Sequence, residues 1–369
     1  MNYQGKNILF ISAQFFQYEK AIVKALENLG AQVDYFDERP SNSVWTKGMI
    51  RVNPQLQQRK IDQYYQEIQS EIQHKTYDYF ILIKGESIPI HFLKKFNEQN
   101  PDTKTRLYLY DTIKEYPKFK ELFPFFDRCI TFEPQDAIKY SLDFQPLFYL
   151  ENYNKSPKKS TFLYDLVFIG TAHSDRFSMG EKIKTAAEKL QLRTYFYYYS
   201  PSKMVYYLKR IFDPHFKKIP IKKLNFNPLN HQEIIDIYQN SKAVIDINKP
   251  FQFGLSMRTF ETLMAGNKLV TTNPEIRFYP FYSPENIAII DRNKIDFSLD
   301  FFKTDFQNLS KIDLDMLSLK HWAKALLSDK KENYWVSVLE KIKAESATSQ
   351  SDQSAQNILH LTDDKRCKR

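Results

Sequence analysis

The sequence predicts an α/β protein with two doubly wound parallel sheets, one in each half of the chain. The 369 residues are enough for two domains of ordinary size, each with its own core. Short apolar runs bounded by turn residues alternate with longer segments of helical periodicity, the order expected of parallel strands joined by crossover helices. The alternation stops in a polar stretch around Pro157 and then restarts. We therefore predict two similar domains that face each other across a linker.

In the first half, five apolar runs predict buried strands. They are residues 7–12, 32–36, 79–83, 105–110 and 128–131. The segments between them predict helices at residues 16–29, 56–74 and 90–100, with a short helix that begins at Pro134. Gly30 follows the first helix, where a glycine commonly ends a helix. This half, residues 1–155, is the predicted first domain.

In the second half, the predicted strands are residues 165–169, 193–199, 243–248, 268–272 and 287–290. Helices are predicted at residues 176–190, 233–240 and 257–265, and Asn230 with Glu233 forms a capping-box pattern. The second domain is therefore predicted to span residues 160–315. A helical pattern over residues 316–345 follows, with Trp322 and Trp335 among its apolar anchors. The polar tail, residues 346–369, is predicted to be disordered.

Composition restricts the class of partner and the compartment. A formal net charge of +9 favours anionic partners: nucleotides, nucleic acid or an acidic membrane surface. The two cysteines, Cys129 and Cys367, are too far apart in sequence to suggest a disulfide framework or a zinc site. There is no apolar run of membrane-spanning length and no signal-peptide pattern at the start. We therefore expect a cytoplasmic protein, either free or peripheral at the inner face of a membrane.

The stretch from residue 244 to residue 275 carries the strongest signal for a ligand site. Gly254 and Ser256 lead into the first turn of the predicted helix at 257–265, where free backbone N–H groups and the positive helix end attract anions. Arg258 lies in that first turn, where a cation is unfavourable unless it binds something negative. Glu261, about one turn further, is placed to reach hydroxyl groups of the same ligand. The alternative is an ordinary strand–helix–strand unit with a surface arginine and glutamate.

A second strand-to-helix turn, F-I-G-T-A-H-S-D-R, opens the second domain. Gly170 and Thr171 end its strand, so backbone donors face the crevice at the carboxyl edge of the sheet. His173 and Arg176 are placed to add a hydrogen bond and a positive charge. The G-x-G-x-x-G spacing is absent, and a plain tight turn is the alternative interpretation. Two such turns in one domain, each with an arginine, make a diphosphate ligand more plausible than either turn alone.

In the first domain, acidic residues follow three predicted strands: Glu86, Asp111 and Glu133. At the carboxyl ends of parallel strands such residues can act as general bases or bind substrate hydroxyls. Glu86 and Asp111 are the candidate catalytic residues. The alternative is that these side chains only cap the helices that follow, which suits Asp111 and Glu133.

Between Tyr195 and Leu224, aromatic residues alternate with seven lysines and arginines. This composition suits an anionic membrane surface, an anionic chain or nucleic acid; the alternative is a strand and a helix with a solvated face. No nucleic-acid-binding motif accompanies the stretch, and no nucleic-acid partner is expected. The seven histidines show no metal-ligand spacing, so no catalytic metal is expected.

The segment F-G-L-S-M-R-T-F-E-T-L-M-A-G-N-K-L-V-T-T-N resembles the donor-site segment of GT-B glycosyltransferases, and it is most similar to the CgeB-like group. The segment L-V-F-I-G-T-A-H-S-D-R resembles the first turn of that group's second domain. The resemblance implies two Rossmann-like domains facing a cleft, a nucleotide-sugar donor on the second domain and an acceptor on the first. It implies no cofactor and no metal. C-terminal helices would cross back and brace the first domain.

Residue roles come from the same resemblance. Arg258 would neutralise the diphosphate, and Glu261 would bind the ribose hydroxyls. Gly170 and the turn from Gly254 to Ser256 would supply backbone contacts to phosphate. Retaining members of the fold often carry E-x7-E, but this chain has Phe253 at the first of the two positions. The usual carboxylate that contacts the sugar is therefore absent from this segment.

We therefore expect a glycosyltransferase that moves a sugar from a nucleotide diphosphate to a glycan or lipid-linked acceptor, in surface polysaccharide synthesis. A non-catalytic nucleotide- or glycan-binding protein that retains the fold is the alternative. A nucleic-acid-binding protein, suggested by charge and aromatic content, is a weaker third interpretation. It predicts steeply salt-dependent binding to polynucleotide.

Overall fold

The computed structural model describes residues 3–40, 54–155, 161–173, 175–330 and 333–345. In these residues the strands form two six-stranded parallel sheets, one in each half of the chain. The change from one sheet to the other falls between residues 144 and 164, the interval that contains the predicted linker. The tail predicted to be disordered lies outside the described residues.

The first sheet has the strand order β2-β1-β3-β4-β5-β6. Its strands are β1 (Asn7–Ser12), β2 (Gln32–Asp37), β3 (Tyr79–Ile83), β4 (Lys104–Leu109), β5 (Arg128–Thr131) and β6 (Asp143–Phe144). The helices around it are α1 (Tyr18–Asn28), α2 (Pro54–Ile72), α3 (Ile90–Gln99) and α4 (Pro134–Tyr140). β1 is an internal strand, second from the edge, because Ile8 of β1 lies opposite both Val33 and Tyr79.

The second sheet has the order β12-β11-β10-β7-β8-β9. Its strands are β7 (Tyr164–Thr171), β8 (Thr194–Tyr199), β9 (Leu224–Asn225), β10 (Ser241–Asp246), β11 (Lys268–Thr271) and β12 (Ile287–Ile289). Its helices are α5 (Arg176–Lys189), α6 (Lys203–Phe212), α7 (Pro214–Lys217), α8 (His231–Gln239), α9 (Met257–Met264), α10 (Leu299–Lys303) and α11 (Lys311–Met316). Two further helices follow, α12 (Leu319–Leu327) and α13 (residues 333–345).

The ten strands predicted from the sequence are all present, with ends shifted by two residues at most. The additional strands β6 and β9 have two residues each, too few for any periodic pattern to reveal. The predicted first helix begins later than expected, because Phe16 and Gln17 have left-handed backbone angles, with φ of 47° and 64°. The helical pattern near the C-terminus is divided between α12 and α13. The capping box of Asn230 and Glu233 is confirmed at the start of α8.

One apolar cluster extends across both domains and includes the C-terminal helices. The ring of Trp322 in α12 lies 4.9 Å from that of Tyr108 and 4.8 Å from that of Phe148, both in the first domain. Trp335 in α13 instead packs 6.2 Å from Tyr279 of the second domain. The predicted return of the C-terminal helices to the first domain is thus confirmed for α12. Within the described residues, no helix combines the length and the apolar character needed to cross a bilayer.

Candidate functional site

The N-terminal end of α9 is organised by Asp246, the last residue of β10. Its carboxylate accepts hydrogen bonds from the hydroxyls of Ser256 (2.6 Å) and Thr259 (2.9 Å) and an ion-pair contact from Arg258 (3.2 Å). Ser256 occupies the N-cap position, but its hydroxyl is directed to Asp246, and among the described residues no side chain caps this helix end. The positive end of α9 therefore keeps backbone donors for another partner.

Arg176, at the start of α5, lies next to this helix end. Its Nε donates to the carbonyl of Ile247 (2.7 Å), and a terminal nitrogen lies 2.9 Å from His173 Nε2. The ring nitrogen of His173 must accept this bond, because a guanidinium only donates. Burial, together with Arg176, lowers the pKa of His173 to about 2, so the imidazole is neutral. The predicted pair His173 and Arg176 is therefore in direct contact.

Three arginines converge at the carboxyl edge of the second sheet: Arg176, Arg258 and Arg292, which we call the arginine cluster. Burial, followed by the charge of Arg258, lowers the pKa of Arg176 to about 10. Burial also opposes the charge of Arg258, but Asp246 beside it holds the pKa of Arg258 above its usual value. The guanidinium of Arg258 also lies 5.7 Å from the centroid of the Phe168 ring.

Arg292 follows β12 and binds the carbonyl oxygen of Asn248 and the carboxylate of Asp175 (2.5 Å). Within the described residues, the ion pairs of the arginine cluster involve two carboxylates, Asp246 and Asp175, against three guanidinium groups. The side chains of Arg258 and Arg292 remain 18% and 22% exposed, so solvent and solutes can reach them. An anion with two negative charges, placed among these guanidinium groups, would offset their mutual repulsion, which is stronger because the groups are buried.

Gly170 lies beside the arginine cluster. A Cβ atom added there would lie 3.4 Å from a terminal nitrogen of Arg258 and 2.8 Å from the ring of Phe168. Thr171 is the last residue of β7, and its carbonyl accepts a hydrogen bond from the His173 backbone. The two turns that the sequence singled out, residues 170–176 and 254–258, are thus side by side.

Glu261 is buried on the next turn of α9 and faces the first domain. The hydroxyl of Tyr18, in α1, donates to Glu261 Oε1 at 2.5 Å, and Tyr153 lies nearby, with its hydroxyl 3.2 Å from His231 Nδ1. Burial raises the pKa of Glu261 to about 7, although the bond from Tyr18 and the charge of Arg258 act in the opposite direction. The carboxylate predicted to bind ribose hydroxyls therefore already accepts a hydrogen bond from a protein hydroxyl, that of Tyr18.

Glu133 makes a second contact between the domains. Its Oε2 accepts hydrogen bonds from the backbone N–H groups of Phe253 (2.9 Å) and Gly254 (3.0 Å), and its Oε1 accepts one from Gln135 (3.3 Å). The last bond caps α4, as one interpretation of the sequence expected; the first two join the first domain to the loop before α9. Burial raises the pKa of Glu133 to about 7.

The candidate bases Glu86 and Asp111 lie in a network of lysines. Lys84 Nζ lies 3.1 Å from a carboxylate oxygen of each, and Arg39 lies 2.6 Å from Glu86. Burial favours the neutral form of Glu86, but Lys84 and Arg39 outweigh it and hold the pKa of Glu86 below its usual value. Lys249, from the second domain, lies 4.0 Å from Asp111 and so places it at the domain junction. Their roles as catalytic bases stay predictions.

Several residues of this region were not identified from the sequence. Asp246 ends β10 and Arg292 lies shortly after β12, and strand ends are the signal that could have located them. Tyr18 carried no such signal, because its partner Glu261 is 243 positions away in the chain. Within the described residues, no group of three His, Cys, Asp or Glu side chains is placed to hold a metal ion.

No protein-family model and no curated protein sequence matches this chain. Solved structures do match in fold. The catalytic domain of starch synthase IV from Arabidopsis thaliana, bound to ADP and acarbose, superposes with a TM-score of 0.52 at 9% identity, covering 94% of this chain and 100% of that one. Sucrose-phosphate synthase from Thermosynechococcus elongatus gives 0.51 at 9% identity, with 94% and 100% covered.

These likenesses show the fold. The chain has the GT-B architecture, two Rossmann-like domains that face a cleft, as the sequence predicted. At 9% identity they establish no activity for this chain. The resemblance to the CgeB-like group stays a prediction.

Proposed function

We propose that the protein is a glycosyltransferase that takes its sugar from a nucleotide-diphosphate donor bound by the second domain. The observation that carries this proposal is the arginine cluster beside the uncapped end of α9. Three buried or half-buried guanidinium groups outnumber the two carboxylates paired to them, so the cluster keeps a net positive charge and, with the helix end, suits an anionic ligand such as a diphosphate. The starch synthase that shares the fold is bound to ADP, a ligand of this class.

In the proposed reaction, the bond between the anomeric carbon of the sugar and the diphosphate oxygen breaks, and the diphosphate keeps the electron pair. Negative charge therefore grows on the diphosphate as it leaves. Arg258, Arg176 and the N-terminal end of α9 would stabilise that charge, and they need little reorganisation because the surrounding contacts already hold them. The acceptor hydroxyl forms the new bond to the anomeric carbon and loses its proton to a base.

The acceptor would bind the first domain, where Glu86 and Asp111 are the proposed bases. A glycan or lipid-linked acceptor in surface polysaccharide synthesis fits the resemblance to the CgeB-like group. We also propose that the hexosyl or related transfer needs no metal ion and no cofactor, since arginines would neutralise the diphosphate. Transfer that stops when EDTA is added and returns with Mg²⁺ would contradict this part of the proposal.

A lipid-linked acceptor would place the enzyme at the inner face of a membrane, and α6 offers a surface for it. Five apolar side chains of this helix are exposed: Met204, Tyr207, Leu208, Ile211 and Phe212, the last at 82%. Lys203, Lys209 and Arg210 lie on the same helix. Apolar side chains with basic neighbours suit a helix that lies in the interface of an anionic bilayer.

Vesicle sedimentation tests the membrane contact. The wild type should bind vesicles that contain phosphatidylglycerol more strongly than vesicles of phosphatidylcholine alone, and the double variant Ile211→Glu/Phe212→Glu should lose that binding. A matched control is Leu163→Glu, which changes an exposed apolar residue outside α6. Equal binding by the wild type and the double variant would refute the role of α6.

The donor site is tested by thermal shift and calorimetry with UDP-, GDP-, ADP-, CMP- and dTDP-sugars. Ligands that bind only the folded state raise its apparent stability. Arg258→Ala should weaken binding of the best donor at least tenfold, because a charge-assisted contact to the diphosphate is lost. The control is Arg193→Ala, since Arg193 forms an exposed ion pair with Asp165 at the opposite end of the sheet. Equal affinity in both variants would refute the assignment.

A second candidate is a nucleotide- or glycan-binding protein without catalytic activity, favoured by Phe253 in place of the usual carboxylate. The two candidates differ in turnover. Sugar transfer or donor hydrolysis by the wild type supports the enzyme, whereas tight donor binding with neither reaction supports the binding protein.

A further inference from the structure

Polar groups at two places on the donor side of the cleft are already bonded to side chains of the first domain. The backbone N–H groups of Phe253 and Gly254 bind the carboxylate of Glu133, and the carboxylate of Glu261 binds the hydroxyl of Tyr18. Of these, the sequence assigned the turn that begins at Gly254 to phosphate and Glu261 to the ribose hydroxyls. The protein groups also resemble the ligand in chemical type. The carboxylate of Glu133 accepts from the amides as a phosphate would, and the hydroxyl of Tyr18 donates to Glu261 as a ribose hydroxyl would.

The contact of Glu133 has the form of an anion site. One carboxylate oxygen accepts from two successive backbone N–H groups, as a phosphate oxygen does in a backbone anion site. The approach depends on glycine at position 254, because a Cβ there would lie 2.6 Å from the carbonyl oxygen of Phe132. Glu133 is 2% exposed, so the contact closes the two domains on each other at this point.

The contact of Tyr18 lies directly after a strained segment. Phe16 and Gln17 are both left-handed and neither is glycine, a conformation that costs on the order of 1–3 kcal/mol per residue and tends to occur at functional sites. A contact from the second domain supports the segment, because His231 Nε2 donates to the Phe16 carbonyl at 2.8 Å. The position of Tyr18 therefore depends on the same domain junction that its hydroxyl helps to close.

We propose that Glu133 and Tyr18 are internal substitutes for the donor: in the ligand-free protein they occupy the amides and the carboxylate that the nucleotide sugar takes over on binding. This inference rests on the proposed function. Donor binding then exchanges two contacts between domains for two contacts to ligand. It releases α1 and the start of α4, which belong to the proposed acceptor domain, so occupation of the donor site changes the surface offered to the acceptor.

The exchange lowers donor affinity. When the binding-competent state is only a fraction of the population, the apparent dissociation constant rises by the inverse of that fraction. Removal of one internal substitute should therefore strengthen binding, whereas removal of a side chain that contacts the ligand weakens it.

The test is calorimetric titration of Tyr18→Phe with UDP, ADP and GDP. We expect the dissociation constant of the nucleotide that binds wild type best to fall at least threefold. Tyr35→Phe is the control, because the Tyr35 hydroxyl binds the Ser12 carbonyl within the first domain. Unchanged or weaker binding by a folded Tyr18→Phe protein overturns the inference.

A second measurement uses the wild type alone, so it does not depend on the folding of a variant. Saturating nucleotide should increase amide hydrogen exchange in residues 13–28, which contain the strained segment and α1. Decreased or unchanged exchange there overturns the inference. If wild type and Tyr18→Phe bind none of the three nucleotides, the proposed function and the inference both fail. Binding that needs Arg258 but is indifferent to Tyr18 refutes the inference alone.

Discussion

Replacement of Glu133 by glutamine should change how stability depends on pH. The carboxyl of Glu133 ordinarily titrates at 4.5, but burial raises its pKa in the folded protein to about 7. Between these two pH values the folded state holds a proton that the unfolded state has released. The contribution of Glu133 to the free energy of unfolding is therefore greatest below pH 4.5 and falls as the pH rises towards 7.

The expected magnitude comes from the two pKa values. The difference between 4.5 and about 7 corresponds to a loss on the order of 3 kcal/mol in the free energy of unfolding between pH 4.5 and pH 8. Glutamine is close to glutamic acid in shape and carries no titrating proton, and its oxygen can accept the bonds from Phe253 and Gly254. Glu133→Gln should therefore resemble wild type at pH 4.5 and exceed it by about 3 kcal/mol at pH 8.

Urea denaturation at both pH values measures this difference, since the free energy of unfolding varies linearly with denaturant concentration. Glu98→Gln is the control, because Glu98 is exposed on α3 and its removal should leave the pH dependence unchanged. Glu261, with a pKa also raised to about 7 by burial, contributes a similar decline that both proteins retain. An equal pH dependence for wild type and Glu133→Gln would refute the reasoning.

Three further predictions concern packing and close contacts at single residues. Gly254→Ala should lower the free energy of unfolding by about 1–3 kcal/mol, because its Cβ would overlap the Phe132 carbonyl; urea denaturation checks this, and an unchanged midpoint contradicts it. Trp322→Ala should lower the free energy of unfolding by about 3–5 kcal/mol, because the fully buried ring packs on Tyr108 and Phe148. A decrease below about 1 kcal/mol in urea denaturation would show that α12 does not brace the first domain. Gly170→Ala should weaken nucleotide binding and leave the denaturation midpoint nearly unchanged, because the side chains of Phe168 and Arg258 must shift to make room for the Cβ atom. A wild-type affinity measured by calorimetry would show that Gly170 is not part of the donor site.

Local patterns in the sequence were sufficient for most of the secondary structure. A strand buried on both faces needs a short apolar run, and a helix start needs a cap, so both leave a signature within a few residues. Asn230 and Glu233, three positions apart, form their capping box as predicted. The positions of Gly170, Arg176 and Arg258 at strand ends and helix starts result from the same local rules, since parallel strands bring their carboxyl ends to one edge.

The tertiary structure alone decided what the acidic side chains contact. Glu261 has the predicted place on α9, yet it meets Tyr18, 243 positions away. Glu133 caps its own helix as a local pattern allows, but its second oxygen binds amides 120 and 121 positions further along the chain. Such contacts depend on how the two sheets dock, and periodicity within one element carries no information about docking. The sequence by itself determined two α/β domains and an arginine-bearing helix end; the docking of the domains decided which carboxylates that helix end meets.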